Sequence, residues 1–302
     1  MDFLIQIFSF AFLAQVLRFC TPYYLAANSA NFSERSGVIN IAVEGFMISS
    51  AFSFALISVL TGNWFFALIF SVIVNLVLGC LFALFTVRLK IDQIVVGVGF
   101  NLLMAGLSKF LLVYIFGTSS ATPGFNGIPH IPFIDSIPYL GKVLSDYIVL
   151  FSFVLIFLAN HILFKTRFGL RLRSAGENPE AAESLGVKVR KYRFYALLIS
   201  CFLSALAGIW LVSNQNSYSD GMIAGRGFIG LAAMIIGKWK PGKIFIACLM
   251  FSFFEALEIS LQLSGSNIPS QLIQILPYLI TILVLIGFIG KTKPPAADGV
   301  PY

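Results

Sequence analysis

Apolar runs of membrane-spanning length recur from one end of this chain to the other. Of its 302 residues, 58% are hydrophobic and only 11% are charged. A bilayer span needs about 20 apolar residues. The runs lie at 3–17, 22–32, 38–60, 64–87, 94–116, 147–164, 194–212, 227–237, 244–263 and 272–289. The pattern predicts an all-α integral membrane protein of ten transmembrane or partly re-entrant helices. They form one transmembrane domain over 1–293, followed by a polar tail over 294–302.

The first two runs leave the helix count open. Only Arg18 and Thr21-Pro22 divide 3–17 from 22–32, so one long kinked helix would lower the count to nine. As a separate element, 22–32 is too short to cross a bilayer and would be partly re-entrant. The tail over 294–302 is a candidate for disorder.

Basic residues orient the helices. The loop 165–193 carries eight Lys or Arg residues against three Glu, and the positive-inside rule makes it cytoplasmic. The proline-bearing loop 117–146 and the segments 213–225 and 264–271 should lie outside. With ten helices both termini are cytoplasmic, and five helices on each side of the outer loop permit an inverted five-plus-five repeat. The other basic residues expected inside are Arg88, Lys90, Lys238, Lys240, Lys243, Lys291 and Lys293.

The sequence carries no motif for catalysis or nucleotide binding. Residues 290–292 end like a phosphate loop, but Leu285 stands where that motif needs glycine. The four cysteines form no CxxC pair, and His130 and His161 stand alone. We therefore predict no catalytic residue, no metal and no cofactor in this chain, and no nucleic-acid partner for its short basic loop.

Polar side chains within the apolar runs are candidates for a pathway. An ionisable group near the bilayer centre costs about 2.5–3.5 kcal/mol, so it should face a cavity or a partner. Asn40 and Glu44 share one helix face, in a polar, glycine-bearing segment at 28–45 that interrupts the apolar pattern. Lys109 is a further polar residue within a run. The predicted pathway residues are Asn28, Asn40, Glu44, Asn101, Glu255 and Glu258.

Three interpretations of these polar residues stay open. They line a path for a hydroxylated solute, or they form interhelical hydrogen bonds and ion pairs that set the packing. In the third, Glu44 or the pair Glu255 and Glu258 is the proton site of a stand-alone ion-coupled carrier.

A short helix is predicted within the basic loop. Asn178 suits the N-cap and Pro179 the first helical position. Glu180 favours the positive end of the helix dipole, and Gly186 suits the stop. We predict that this helix docks into another protein, with a helix resting on anionic lipid as the alternative. The residues predicted to form its small apolar face are Ala181, Ala182 and Leu185.

Three segments of the chain resemble a known family. Residues 32–45, 176–182 and 225–239 read FSERSGVINIAVEG, GENPEAA and GRGFIGLAAMIIGKW. They are similar to the permease subunits of ABC importers for nucleosides, relatives of the ribose and simple-sugar permeases and, more distantly, of the branched-chain amino-acid permeases.

The resemblance implies a division of labour among several chains. An extracellular lipoprotein or periplasmic protein would bind the solute, and two permease subunits, often two different chains, would form the pathway within membrane lipid. Cytoplasmic ATPase domains would bind ATP and Mg, with the helix at 178–185 as the coupling helix. We expect a nucleoside permease subunit without its own ATPase site, multi-pass in the bacterial cytoplasmic membrane. A ribose or simple-sugar permease is the alternative.

Overall fold

The helices follow the apolar runs. The computed structural model describes residues 9–135, 141–263, 275, 279 and 293–302. A π-helical turn, Leu84–Arg88, extends the third helix, and single helical turns lie at Pro132–Asp135 and Gly141–Leu144. The longer helices of the described residues are α1 Phe10–Glu34, α2 Val43–Thr61, α3 Trp64–Ala83, α4 Gln93–Phe116, α5 Tyr147–Lys165, α6 Arg167–Glu177, α7 Pro179–Ser184, α8 Val189–Gln215, α9 Arg226–Ile236 and α10 Pro241–Leu263.

Six helices in the described part of the chain are long and apolar enough to cross a membrane, namely α2, α3 with its π turn, α4, α5, α8 and α10. Regular structure in the same residues is helical, apart from one isolated β-bridge between Ala121 and Ser219, so the predicted all-α class is confirmed. Helix α9 has 11 residues and is about 16 Å long, about half of a bilayer's hydrocarbon core. The predicted span at 272–289 lies outside the described residues.

Helices α1 and α8 form the centre of the bundle, and small residues bring their neighbours close. The hydroxyl oxygens of Ser29 and Ser200 lie 2.8 Å apart between α1 and α8. A Cβ on Gly208 of α8 would lie 2.2 Å from the carbonyl oxygen of Met47 in α2. Such small-residue crossings are typical of membrane bundles. By contrast, only 22% of the apolar segment of α4 is buried, against 78% for α8, so α4 belongs to the periphery.

The charged loops gather at one end of the bundle, called the basic end below. Arg88 lines one cavity there with Arg190 and Lys191. Arg35, just after α1, donates to the carbonyl of Trp239 (3.1 Å), just after α9. The predicted grouping of these basic segments on one side is therefore confirmed.

The segments 117–146 and 213–225 meet at the opposite end. The Thr122 N–H donates to the Tyr218 carbonyl (2.8 Å), and the Phe125 N–H donates to the Asn216 carbonyl (2.9 Å). The prediction that these two segments share a side is confirmed.

Helix α1 runs unbroken through a proline. Pro22 lies within Phe10–Glu34, and the backbone bond that its ring removes is tolerated because neighbouring helices surround it. Arg18 donates to Asn214, so the first half of α1 lies at the opposite end. The run 22–32 and the described part of 3–17 therefore form one continuous helix, as in the nine-helix alternative, and 22–32 is not a separate re-entrant element. Four helices precede 117–146 in the described residues, so the five-plus-five repeat is not confirmed, and the total helix count and the side of the two termini stay predictions.

The C-terminal tail packs against the basic end. The Ala297 N–H donates to the carbonyl of Gly176 at the end of α6 (2.9 Å). Arg193 of α8 donates to the Val300 carbonyl (2.8 Å). The expectation of disorder over 294–302 is therefore wrong, because buried backbone and guanidinium groups of other segments take the tail as their partner.

Candidate functional site

A polar turn separates α1 from α2, and two asparagines hold its backbone. Asn40 accepts a hydrogen bond from the N–H two residues on (3.0 Å) and donates to the Ser200 hydroxyl of α8 (2.8 Å). Asn101 of α4 accepts from the Gly45 N–H (2.7 Å) and donates to the Ile41 carbonyl (2.9 Å). An unpaired backbone group in apolar surroundings costs several kcal/mol. The two amides therefore stabilise the break in the helix.

Glu44 caps a helix that belongs to another part of the chain. Its carboxylate oxygens accept hydrogen bonds from the N–H groups of Gly225 (2.8 Å) and Gly227 (2.7 Å) at the start of α9. Gly225 has no side chain with which to cap the helix itself. A carboxylate satisfies these free N–H groups and also favours the positive end of the helix dipole. A Cβ on Gly227 would lie 2.8 Å from the Glu44 Cα, so this close approach requires glycine.

Arg226 links the start of α9 to α10 through an ion pair. Its guanidinium lies 2.5 Å from a carboxylate oxygen of Glu255, which is buried. Glu258, one turn further along α10, instead accepts from the Gln262 amide (3.1 Å). The structure thus joins Asn40, Glu44, Asn101 and Glu255 through the break and α9, and leaves Glu258 outside that group.

Asn28 lies on a different surface of α1. Its amide donates to the Tyr24 carbonyl one turn earlier (3.0 Å), and the Tyr24 ring packs edge-on against Phe245 of α10, with centroids 5.5 Å apart. Within the described residues, the Asn28 side-chain oxygen has no hydrogen-bond partner, and neither polar atom of the buried Asn31 side chain has one. Buried amide atoms of this kind require a polar group or a water molecule as partner.

A cavity of about 230 Å³ opens beside Glu44 toward the opposite end. Tyr218 donates to the Ser108 hydroxyl (3.1 Å) on its wall, and Lys109 pairs with Asp220 (3.0 Å) beside it. An adjoining cavity of about 180 Å³ shares Ser108. This arrangement offers hydroxyl and carboxylate groups to a neutral polyhydroxylated solute. The lining residues of the larger cavity are Glu44, Ile48, Ala105, Ser108, Tyr218, Asp220 and 221–225.

The loop that forms one wall of this cavity holds unusual backbone conformations. Gly221 and Gly225 have φ of 76° and 78°, and Ala224, which has a Cβ, has φ of 51°. A non-glycine residue in this left-handed region costs about 1–2 kcal/mol. Strain of this kind concentrates at functional sites.

Sequence reasoning missed Ser108, Tyr218 and Asp220 as site residues. Ser108 is one hydroxyl in an apolar run, and the other two belong to a segment that was assigned only to an outer loop. The signal available was the adjacency of Lys109 to Ser108, together with Gly221 and Gly225 beside the polar residues of the loop.

Helix α7 stands at the basic end with the predicted caps. The Asn178 side chain accepts from the Ala181 N–H (3.0 Å), and Pro179 occupies the first helical position. Gly186 has φ of 81°, the left-handed conformation that ends a helix. Leu185 is 84% exposed. Glu180 and Ala181 are exposed as well.

Ala182 does not lie on the exposed face. It is 3% exposed and packs with Ala175 of α6 and Val189 of α8. The predicted apolar face of Ala181, Ala182 and Leu185 is therefore wrong in one member. Sequence spacing placed the three residues on one face, but the Ala182 side chain packs inward against α6 and α8.

These helices, with a polar break and a half-length helix in their interior, define a multi-pass membrane protein. The chain belongs to the family described as "Branched-chain amino acid transport system / permease component", which matches residues 12–285.

Two full-length relatives are nucleoside permeases by name. The nucleoside ABC transporter permease protein NupC of Lactococcus lactis subsp. cremoris (strain MG1363) is 38% identical, over 96% of this chain and 96% of its own. The guanosine ABC transporter permease protein NupQ of Bacillus subtilis (strain 168) is 37% identical, over 99% and 98%. A second guanosine ABC transporter permease protein of that organism, NupP, is 24% identical, over 95% and 86%.

Replacing Glu44 with alanine should destabilise the folded chain. The substitution leaves two N–H groups at the start of α9 without their acceptor, at a cost of about 1–3 kcal/mol for each buried group. The apparent melting temperature of the purified, detergent-solubilised protein should fall by several degrees. Glu258→Ala, at a half-buried carboxylate whose hydrogen bond goes to the Gln262 side chain on the same helix, is the control and should melt near wild type. Equal melting of Glu44→Ala and wild type would contradict the capping role.

Proposed function

We propose that this chain is one permease subunit of an ABC importer that moves nucleosides across a bacterial cytoplasmic membrane. The observation that carries the proposal is the similarity of nearly the whole chain to two permeases named for nucleoside and guanosine transport. The structure supports it with a bundle whose interior holds polar groups and whose basic end exposes a short capped helix.

Energy would come from a separate ATPase that docks on α7. The exposed Leu185, Ala181 and Glu180 offer a small surface to a partner, and α6, α8 and the C-terminal tail support that surface from behind. ATP and Mg would be bound by the partner, and this chain would contribute no catalytic residue. On this account α7 is the coupling helix and the basic end is cytoplasmic.

A second, different permease chain would complete the pathway. Bacillus subtilis has two guanosine permease proteins that match this chain, at 37% and 24% identity. The large difference between the two values indicates that such permeases occur as unlike pairs, and this chain corresponds to the NupQ-like member. A solute-binding protein would deliver the nucleoside to the opposite end. The described residues hold eight membrane elements, with α1 as one helix and α9 as a half-span, and the apolar run 272–289 would add a ninth.

The cavity beside Glu44 would receive the solute. Ribose hydroxyls can bond with the Tyr218 and Ser108 hydroxyls and with Asp220, and the adjoining cavity, which contains Phe52, extends the space for a base. Four polar residues would fix the positions of the cavity walls rather than bind the solute, namely Asn40, Glu44, Asn101 and Glu255. Asn28 and Glu258 would serve further along the path. ATP-driven closure of the ATPase pair would then re-orient the helices around the cavity.

The contacts of Glu44 weigh against a stand-alone proton-coupled carrier. Both carboxylate oxygens accept backbone N–H bonds, which favour the ionised form and commit Glu44 to holding the start of α9. A ribose or simple-sugar importer remains the second candidate, because the cavity offers groups that suit any polyol.

Removing the Tyr218 hydroxyl should slow transport. Tyr218→Phe keeps the ring, which packs edge-on against Phe52 at 5.4 Å, but loses one hydrogen-bonding group to the solute. That loss corresponds to about 0.5–1.5 kcal/mol, so the nucleoside concentration that gives half-maximal uptake should rise about two- to ten-fold. Tyr114→Phe, the same change at an exposed position of the peripheral helix α4, is the matched control. Wild-type uptake by Tyr218→Phe would remove the cavity from the pathway.

A charge on the exposed side of α7 should detach the ATPase. Leu185→Asp would bury an unpaired carboxylate in the docked complex, which costs several kcal/mol, while the free chain keeps its fold because Leu185 touches solvent. Co-purified ATPase and uptake should both fall at least ten-fold. Leu170→Asp is the matched control, since Leu170 is 62% exposed on α6. Full ATPase retention by Leu185→Asp would refute docking on α7.

A further inference from the structure

The tail, 294–302, contacts segments that are far apart in sequence. The Ala297 N–H donates to the carbonyl of Gly176 near the end of α6, three residues before α7, and Ala297 is 7% exposed. Tyr302, at the end of the chain, donates to the Glu183 carboxylate of α7. The tail therefore holds both the entry to α7 and the helix itself.

The other side of the tail reaches the break between α1 and α2. A Cβ on Gly37 would lie 3.0 Å from the Ala297 carbonyl oxygen, and a Cβ on Gly299 would lie 2.7 Å from the Ile39 side chain. The Asp298 carboxyl interacts with the Glu34 carboxyl at the end of α1. Burial raises the pKa of Asp298 to about 7, and in this carboxyl pair Glu34 is the hydrogen-bond donor and Asp298 the acceptor.

Arg193 shows that the bundle is built around the docked tail. Its side chain is 1% exposed. Among the described residues, the one acceptor of its guanidinium is the Val300 carbonyl, since its Nε and one terminal nitrogen have no hydrogen-bond partner. The Tyr302 ring lies 5.8 Å from the same guanidinium. Without the tail, a buried cation would lose its oxygen acceptor, which is costly in a dry interior.

We propose that the C-terminal tail, 294–302, is a strap that ties the ATPase-docking helix α7 to the polar break between α1 and α2. The proposal rests on the proposed function. Helix α7 has six residues, and its buried contacts with the rest of the bundle come from the small side chains of Pro179 and Ala182. A movement imposed on α7 would be absorbed locally unless a second connection carried it inward. The tail supplies that connection, since one short segment touches α7, the end of α6, Arg193 of α8 and the turn that Asn40 and Asn101 hold.

The test separates ATP hydrolysis from transport. Chains ending at Lys293 should still co-purify with the ATPase, because the exposed surface of α7 remains. Nucleoside uptake should fall about ten-fold while ATP hydrolysis persists, so the number of ATP molecules consumed per solute should rise. Ala297→Glu, which keeps the chain length but places a charge at the buried contact, should have the same effect. Pro301→Ala, at an exposed tail position, is the control and should couple normally.

Docking of the tail can be measured independently of activity. In the wild-type complex the tail should resist carboxypeptidase, and in Ala297→Glu it should be digested. Normal ATP consumption per solute in both the truncated chain and the digested Ala297→Glu variant would overturn the strap. Failure of the wild-type chain to co-purify with any ATPase would instead overturn the proposed function. If the truncated chain fails to insert, the number of ATP molecules consumed per solute by the Ala297→Glu variant is the deciding measurement.

Discussion

The carboxylate of Glu44 at the start of α9 is the contact on which the interior of this protein depends. A helix of 11 residues that begins inside an apolar bundle presents free N–H groups, and these must find acceptors. Glu44 supplies them from α2. With α9 held in this position, Arg226 pairs with Glu255 of α10, and the loop 221–225 forms one wall of the cavity. The break between α1 and α2 places Glu44 where its carboxylate contacts the start of α9. Asn40 and Asn101 stabilise that break. The polar residues of the interior thus make an irregular backbone possible beside a space for solute.

The basic end is organised around one small helix. Helix α7 is capped, short and exposed, while the segments behind it are buried and tied together by Arg193, Gly176 and the tail. Glycines at 37, 176 and 299 allow backbone to lie directly on backbone or on side chain at this junction. Such close packing transmits displacement, because a well-packed interior cannot deform continuously. The two ends of the bundle are therefore linked through α1 and α8, the most central helices.

Local patterns in the sequence predicted the local features. The apolar runs marked the helices, basic residues sorted the loops to two ends, and Asn178, Pro179 and Gly186 marked the limits of α7. The predictions that failed depended on contacts between segments that are distant in sequence. Pro22 looked like a break, but surrounding helices keep α1 continuous. Ala182 looked available, but Ala175 and Val189 cover it. The tail looked polar and free, but Gly176 and Arg193 bind it. Four of the six predicted pathway residues meet through the break and α9, but the partners of Glu44 and Asn40, which are Gly225, Gly227 and Ser200, lie 160 or more positions away, beyond any periodicity. Tyr218 and Asp220 were missed for the same reason.

The most direct test of this account is nucleoside uptake by the purified complex in proteoliposomes, with and without ATP, in the presence of a proton ionophore. The assay would use labelled guanosine, with unlabelled adenosine and ribose as competitors. The account predicts uptake that requires ATP and the ATPase subunit, is unaffected by the ionophore, and is inhibited by adenosine but not by ribose. Uptake by this chain without the ATPase, driven by a proton gradient and abolished by the ionophore, would contradict it.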